Sequence, residues 1–390
     1  MMVVVFHLFP SRLTGGFAGV DVFFVISGFL ISSSLFGELQ SSGRIGLVKF
    51  WAKRMRRLLP AAFVVIAVTG ILSVIFVPPF TRAEFLAEGF ASIFYYENWS
   101  LALSSADYFA DSNASPFQHF WSLAVEEQFY LVWPLALLLV TWLARTTSQA
   151  AITALIAVSA LVSFGFAVAL TALDPGASYF NSFLRVWQFA VGAAIAHLLA
   201  KKSLSMKVSP SISIFGLALI IVSAFYFDAG SGFPGVAALL PVIGTALVII
   251  AGRGGLTSRL TRIYEFKPIQ FLGDISYSLY LWHWPVIVLA PFIINRATTP
   301  IEKLLLLAIS IALAWATRRF IEDPARTSRM FVSAKPRLTI ITALVSSVAL
   351  ALSITAVSAA TPKVSLNNMT SLDQAKHDAA AIGSQCMTKA

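Results

Sequence analysis

The chain has 390 residues, 58% of them apolar and only 12% charged, with a mean hydropathy of +0.81. Soluble domains carry roughly a quarter charged residues, so a water-soluble globular protein is excluded. The net charge of +10 invites a nucleic-acid partner, but the basic residues fall in alternate loops rather than in one patch, and no nucleic acid is expected.

Apolar stretches of about 18 residues or more read as spanning helices. They lie near 17–37, 58–77, 121–143, 150–172, 183–200, 211–227, 235–251, 272–294, 303–320 and 338–358. Ahead of them Met1–Phe9 reads as the end of another helix, too short to span before Pro10, so its beginning is expected upstream of Met1. No secretory signal pattern precedes it. The stretch 83–103 mixes Glu84, Glu88 and Glu97 with Phe, Tyr and Trp, and reads as a re-entrant or outer-face helix. The expected fold class is therefore all-α: a polytopic transmembrane helix bundle of about eleven spans, the first truncated, plus that one extra helix.

Charge gives the orientation. Lys and Arg number six in 38–57, one in 144–150, three in 201–210, four in 252–271 and six in 318–337, so 20 of the 28 share one side. The positive-inside rule makes that side cytoplasmic. Loops 104–120, 173–182 and 228–234 carry no Lys or Arg, as an outer face should. The C-terminus then lies outside. Residues 1–337 read as one membrane domain and 338–358 as an added anchoring helix with no large polar side chain. The tail 359–390 reads as a linker or the start of a further domain. Cys386, the one cysteine, has no partner within the chain. The Asn98, Asn113 and Asn368 triplets are glycosylation acceptors only in a suitable secretory host.

Ionisable groups at membrane depth are costly and mark functional paths. His7, in Val5-Phe6-His7-Leu8-Phe9-Pro10, sits about a turn below the outer surface, where an imidazole serves as general base or nucleophile. Asp21, in Gly19-Val20-Asp21-Val22-Phe23-Phe24, needs a partner. Arg12 and His7 are nearest in sequence, and the carboxylate is expected either to orient His7 or to complement its own helix N-terminus. From His119 onward, His119, Ser122, Glu126 and Tyr130 fall at i, i+3, i+7 and i+11 on one helical face, a candidate active-site wall. His-x6-Glu is no established ligand spacing, and no metal is expected. Lys53-Arg54-Met55-Arg56-Arg57 at the cytoplasmic face fits either anionic lipid or a phosphorylated donor, with Arg54, Arg56 and Arg57 as phosphate partners. No Walker-type glycine loop is present. Ser276, Tyr280 and His283 form a second polar stripe, and Arg318-Arg319-Phe320-Ile321-Glu322-Asp323-Pro324 forms a cytoplasmic ion-pair cluster that is open between structural and functional roles.

Taken in order over about 1–330, these motifs resemble the membrane acyltransferase-3 family. They are the first-helix His7; Gly19 to Phe24 through Ser27-Gly28-Phe29-Leu30-Ile31; Phe50-Trp51 leading into Arg54 to Pro60; His119 to Tyr130; Ile275 to Pro285; and Ile321 to Pro324. The set is most similar to the bacterial branch that O-acetylates cell-surface glycans, in which the membrane part is commonly followed by an extracytoplasmic SGNH-type domain. The resemblance implies transfer of an acyl group, usually acetyl from cytosolic acetyl-CoA, to an extracytoplasmic sugar hydroxyl in the bacterial cytoplasmic (inner) membrane. It implies His7 as the catalytic residue, with Asp21 or Glu126 steadying it. Arg54, Arg56 and Arg57 fall on the donor side, and His119, Ser122, Tyr130, Ser276, Tyr280 and His283 line the pocket. Expected partners are membrane lipid, acyl-CoA, a glycan acceptor (O-antigen of lipopolysaccharide, peptidoglycan or exopolysaccharide) and an SGNH-type domain. No permanently bound cofactor is expected, and acetyl-CoA serves as donor substrate. The chain departs from the family pattern at three points. A basic residue upstream of the histidine would precede Met1, Arg185-Val186-Trp187-Gln188 replaces an Arg-x-Trp-Glu pattern, and the SGNH part is expected beyond Ala390. The reading from another class is a transporter or flippase for a lipid-linked glycan, with the same groups lining its path.

Overall fold

The structure, a computed structural model, describes residues 1–104, 108, 114–144, 148–200, 210–253, 265–328 and 335–360. The basic stretch 201–209, Asn113, Asn368 and the tail with Cys386 lie outside the described residues. Among those described, every regular element is helical. Seven helices are long and apolar enough to cross a membrane: Gly16–Ser42, Leu47–Phe76, Phe120–Leu143, Gln149–Thr171, Ser276–Ile294, Pro300–Thr327 and Pro336–Ala360. Val186–Ala200, Ser211–Tyr226 and Val236–Gly252 are apolar but shorter. With the short helix at Met2–Leu8, these occupy the positions at which the sequence places its spans. The protein is a polytopic helical membrane protein.

Two compact units make up the chain. The first comprises Met1–Phe50, Ala102–Ala106 and Val125–Gly273, and the second Trp51–Leu101, Asp107–Ala124 and Asp274–Ala390.

In the first unit, α1 (Met2–Leu8) is followed by α2 (Gly19–Ser42), which stops where Gly43 takes a left-handed φ of 69° and its N–H caps Leu39. α2 packs along a helix at Val186–Ala200 with almost no space between backbones. A Cβ at Gly28 would lie 2.1 Å from the Phe189 carbonyl oxygen, and one at Gly192 would lie 2.1 Å from that of Val25. Only glycine admits that approach, which explains the glycine in Ser27-Gly28-Phe29. Stacked rings fill the flanks: Phe24 on Phe189 at 4.6 Å and Phe129 on Phe189 at 4.4 Å.

In the second unit, α3 (Leu47–Phe76) begins before the expected span, so Lys49 to Arg57 stand on a helix rather than in a loop. The expected helix over 83–103 is two helices, α4 (Pro79–Ile93) and α5 (Glu97–Leu103), hinged where Tyr95 adopts φ 55°. α6 (Phe120–Leu143) has its first residues in this unit and the rest in the first. The expected span 272–294 is interrupted at Ile275: a short helix closes at Asp274, and the spanning helix starts at Ser276. The helix Pro300–Thr317 opens with Pro300 in its first turn and a capping box between Thr299 and Glu302. It runs into a π-helical turn, Arg318–Glu322, that leaves Phe320 68% exposed and Glu322 3% exposed. The core of this unit joins Ala61, Val65, Phe85, Phe117, Leu281 and Ile354. Ile354 belongs to Pro336–Ala360, so the C-terminal helix also packs into protein.

Candidate active site

Each unit holds its own buried polar set. In the first, His7 is the basic residue of the last turn of α1, half-buried, with its ring 5.3 Å from Phe6. A run of rings leads inward from there. Phe6 meets Phe17 at 5.6 Å, and Phe17 meets Tyr179 at 6.4 Å. The Tyr179 ring carries the Arg185 guanidinium 4.7 Å from its centroid.

Arg185 is 0% exposed and pairs with Asp21, 1% exposed, across 2.9 Å. Its Nε and Nη2 donate to the Tyr179 carbonyl at 3.2 and 2.9 Å. The same Asp21 oxygen accepts from the Gln188 amide at 2.5 Å. The partner that Asp21 demands is thus Arg185, 164 residues away, rather than one of its sequence neighbours Arg12 or His7. Gln188 suits this place because an amide N–H can donate to a buried carboxylate, whereas a second carboxylate would repel it.

Glu126 lies one helical turn before Tyr130 on α6, and its Oε1 takes two hydroxyls: Ser27 donates at 2.6 Å and Tyr130 donates to the same oxygen. Ser27 was not singled out from sequence, although it sits in the quoted Ser27-Gly28-Phe29 stretch. The Gly28 contact holds α2 in register, and the preceding residue then faces α6.

In the second unit, His119 and His283 approach within 5.9 Å, ring centre to ring centre. His119 Nε2 lies 3.1 Å from the Leu281 carbonyl, so the hydrogen is assigned there. His119 Nδ1 is buried and meets no donor. His283 Nδ1 faces the carbonyls of Tyr280 at 2.7 Å and Leu279 at 3.2 Å, which places its hydrogen on Nδ1. The Tyr280 hydroxyl donates to the His119 carbonyl at 3.0 Å, leaving Ser122 to donate to the Tyr280 oxygen at 2.6 Å. Four of the expected pocket residues therefore meet in one network. Ser276 does not join them, because it is exposed at the start of its helix. The buried serine of that turn is Ser278, which donates to Glu322 at 3.2 Å.

Arg54, Arg56 and Arg57 are half-buried on α3. Arg56 donates to Thr339 at 3.3 Å, and Arg57 acts electrostatically on Glu322. Glu322 also pairs with Arg326 at 3.2 Å. Arg318 reaches Asp274 at 3.1 Å and Asp323 at 3.7 Å. The charged cluster at Arg318–Pro324 is therefore linked to Arg57 within the same unit. No group of three or more His, Cys, Asp or Glu among the described residues is arranged to hold a metal ion.

The profile of the acyltransferase-3 family, described as an acyltransferase domain, matches residues 1–319. The chain belongs to this family. It is 31% identical over 334 residues to an O-acetyltransferase OatA of Staphylococcus aureus, a match covering 83% of this chain and 55% of that protein. It is 33% identical over 344 residues to the peptidoglycan O-acetyltransferase OatA of Listeria monocytogenes, covering 83% of this chain and 53% of that protein. The chain spans about half the length of these curated relatives. No solved structure matches it.

Proposed function

We propose that this chain is the membrane part of a bacterial O-acetyltransferase that moves an acetyl group from cytosolic acetyl-CoA to a hydroxyl of an extracytoplasmic glycan. The observation that carries the reading is the family match along residues 1–319. The names of the relatives favour peptidoglycan as acceptor. The alternating loop charges support a multi-pass protein of the cytoplasmic membrane with its C-terminus outside.

In this reading Arg54, Arg56 and Arg57 bind the donor's phosphates, since guanidinium forks suit phosphate oxygens. His7 deprotonates the acceptor hydroxyl or carries the acetyl group in passing. The Asp21–Arg185–Gln188 and Ser27–Glu126–Tyr130 sets tie α2 to the start of the Val186–Ala200 helix and to α6. An SGNH-type domain, which the family resemblance implies, completes delivery to the glycan.

The test uses membrane vesicles carrying this chain together with an SGNH-type domain, supplied with acetyl-labelled acetyl-CoA and a peptidoglycan acceptor. Label should reach the glycan in wild type, and His7→Ala should lower the rate by about 100-fold or more. Equal labelling by His7→Ala would remove His7 from the chemistry. Movement of a lipid-linked glycan without thioester consumption would favour a transporter instead.

A further inference from the structure

The place of His7 is set by what α1 rests on. That support is the 3-10 turn Gly16–Ala18 together with Gly19, the first residue of α2, all within the first unit. A Cβ at Gly16 would lie 2.6 Å from Phe6 Cβ and 2.9 Å from the Met2 carbonyl oxygen. One at Gly19 would lie 2.9 Å from Val3 Cγ2 and 3.3 Å from Met2 Cβ. Met2, Val3 and Phe6 stand at i, i+1 and i+4, so one face of α1 lies directly on the two glycines. His7, four residues after Val3, stands at the edge of that face.

Phe17, between the glycines and 0% exposed, closes the contact from the side. Its ring meets Phe6 at 5.6 Å, Phe233 at 4.9 Å and Tyr179 at 6.4 Å. The turn cannot follow α1 freely, because it is anchored from behind. The Gly15 N–H donates to the Ala224 carbonyl at 2.9 Å, and the Thr14 hydroxyl donates to the Phe225 carbonyl at 3.4 Å, both on the helix Ser211–Tyr226. A methyl added on the anchored side therefore displaces α1. Val3 cannot swing away to absorb it, since a β-branched side chain in a helix holds essentially one rotamer. Carbon atoms rest about 3.5 Å or more apart, so a contact of 2.9 Å at Gly19 is relieved only by moving α1.

We infer that Gly16, Phe17 and Gly19 are positioning residues for His7: the two glycines seat α1 one methyl closer to the start of α2 than any other residue would, and this spacing sets where the imidazole stands for the transfer step. This rests on the acyltransferase reading above. The three residues act through the backbone of α1. Misplacing a reacting group by 1 Å costs about 100-fold in rate, so a shift of about half that should cost about tenfold.

The experiment uses the full chain in lipid nanodiscs with the SGNH-type domain present. It measures labelled-acetyl transfer and, in parallel, the nitrogen-15 magnetic resonance signals of His7, assigned by their loss in His7→Ala. Gly19→Ala should lower kcat about tenfold while KM for acetyl-CoA stays within about twofold. Val3→Ala removes the Cγ2 that the new methyl meets, so the double variant should recover most of the rate. The same Val3→Ala should leave Gly16→Ala unrepaired, because that methyl meets Phe6 Cβ and the Met2 backbone instead. The His7 signals should shift in Gly19→Ala and return toward wild type in the double variant. If Gly16→Ala does not fold, the Gly19 and Val3 changes carry the test alone. Wild-type kcat and unshifted signals in Gly19→Ala overturn the proposal. So does a loss that Val3→Ala leaves unrepaired, the mark of general damage to packing, or a raised KM at unchanged kcat, the mark of donor binding. A wild type that transfers no acetyl, or His7→Ala transferring at the wild-type rate, would fail the acyltransferase reading and the catalytic half of the proposal with it. A repaired signal shift in that case would still show that the glycines set the place of His7.

Discussion

Removing the carboxylate of Asp21 should be among the most damaging single changes in the first unit. At 2.9 Å from Arg185, the attraction is about 6 kcal/mol at an effective dielectric constant of about 20. Part of that is offset, because burying both ions carries its own desolvation cost. Asp21→Ala removes the anion but leaves the guanidinium buried beside the Tyr179 carbonyl and ring. The Gln188 amide loses its acceptor at the same time. Breaking a buried pair from one side costs about 3–5 kcal/mol, and that is the expected loss. The double variant Asp21→Leu with Arg185→Met removes both charges and should recover most of it. Chemical denaturation of detergent-solubilised protein, followed by tryptophan fluorescence, measures both quantities. A loss below about 1 kcal/mol for Asp21→Ala, or a double variant as weak as the sum of the single ones, would refute the view that an uncompensated charge dominates.

Gly28→Val should cost about 1–3 kcal/mol or more, because its Cβ meets the Phe189 carbonyl at 2.1 Å; Gly37→Ala, with nothing within 4 Å, is the matched change that should be tolerated, and thermal unfolding compares the two. Ser122→Ala and Tyr280→Phe break the same 2.6 Å bond. Each should cost about 0.5–1.5 kcal/mol, and a double-mutant cycle should show the second change costing less once the first is made. Stability should also depend on pH through Glu97. Above the ordinary carboxyl value of 4.5 and below its folded value, which burial raises, the folded state keeps a proton that the unfolded state has lost. Stability therefore falls as pH rises through that window. Glu97→Gln should flatten this limb in a denaturation series across pH.

Hydropathy located nearly every membrane helix, because a run of apolar side chains leaves the backbone no satisfied alternative to a helix. It misjudged where polar residues continue a helix, as at Leu47–Leu58, and where an apolar run is broken, as at Ile275. Periodicity put His119, Ser122, Glu126 and Tyr130 on one helical face, but α6 begins only at Phe120, and Ser122 bonds to Tyr280 whereas Glu126 and Tyr130 bond with Ser27 or each other. The partners of that face were not local. Ser27 meets Glu126 across 99 residues, and Arg185 meets Asp21 across 164. No spacing rule carries such pairings. The surroundings of Glu88 and Glu97 were overlooked for a related reason. Both stand in the 83–103 stretch read as one re-entrant or outer-face helix, and the break at Tyr95 leaves Glu97 buried and Glu88 half-buried.

The π turn at Arg318–Glu322 has a consequence for anyone who counts along this helix. One extra residue is wound into it, so side chains beyond it are turned by about 100° relative to an uninterrupted α-helix. Projecting a regular helical wheel from Pro300 through Thr327 therefore assigns the inward and outward faces incorrectly after Thr317. Deleting a single residue there would restore the regular winding and carry Glu322 off the inward face, away from Ser278 and Arg57. Length at this point, as much as residue identity, keeps the acidic group beside the arginines.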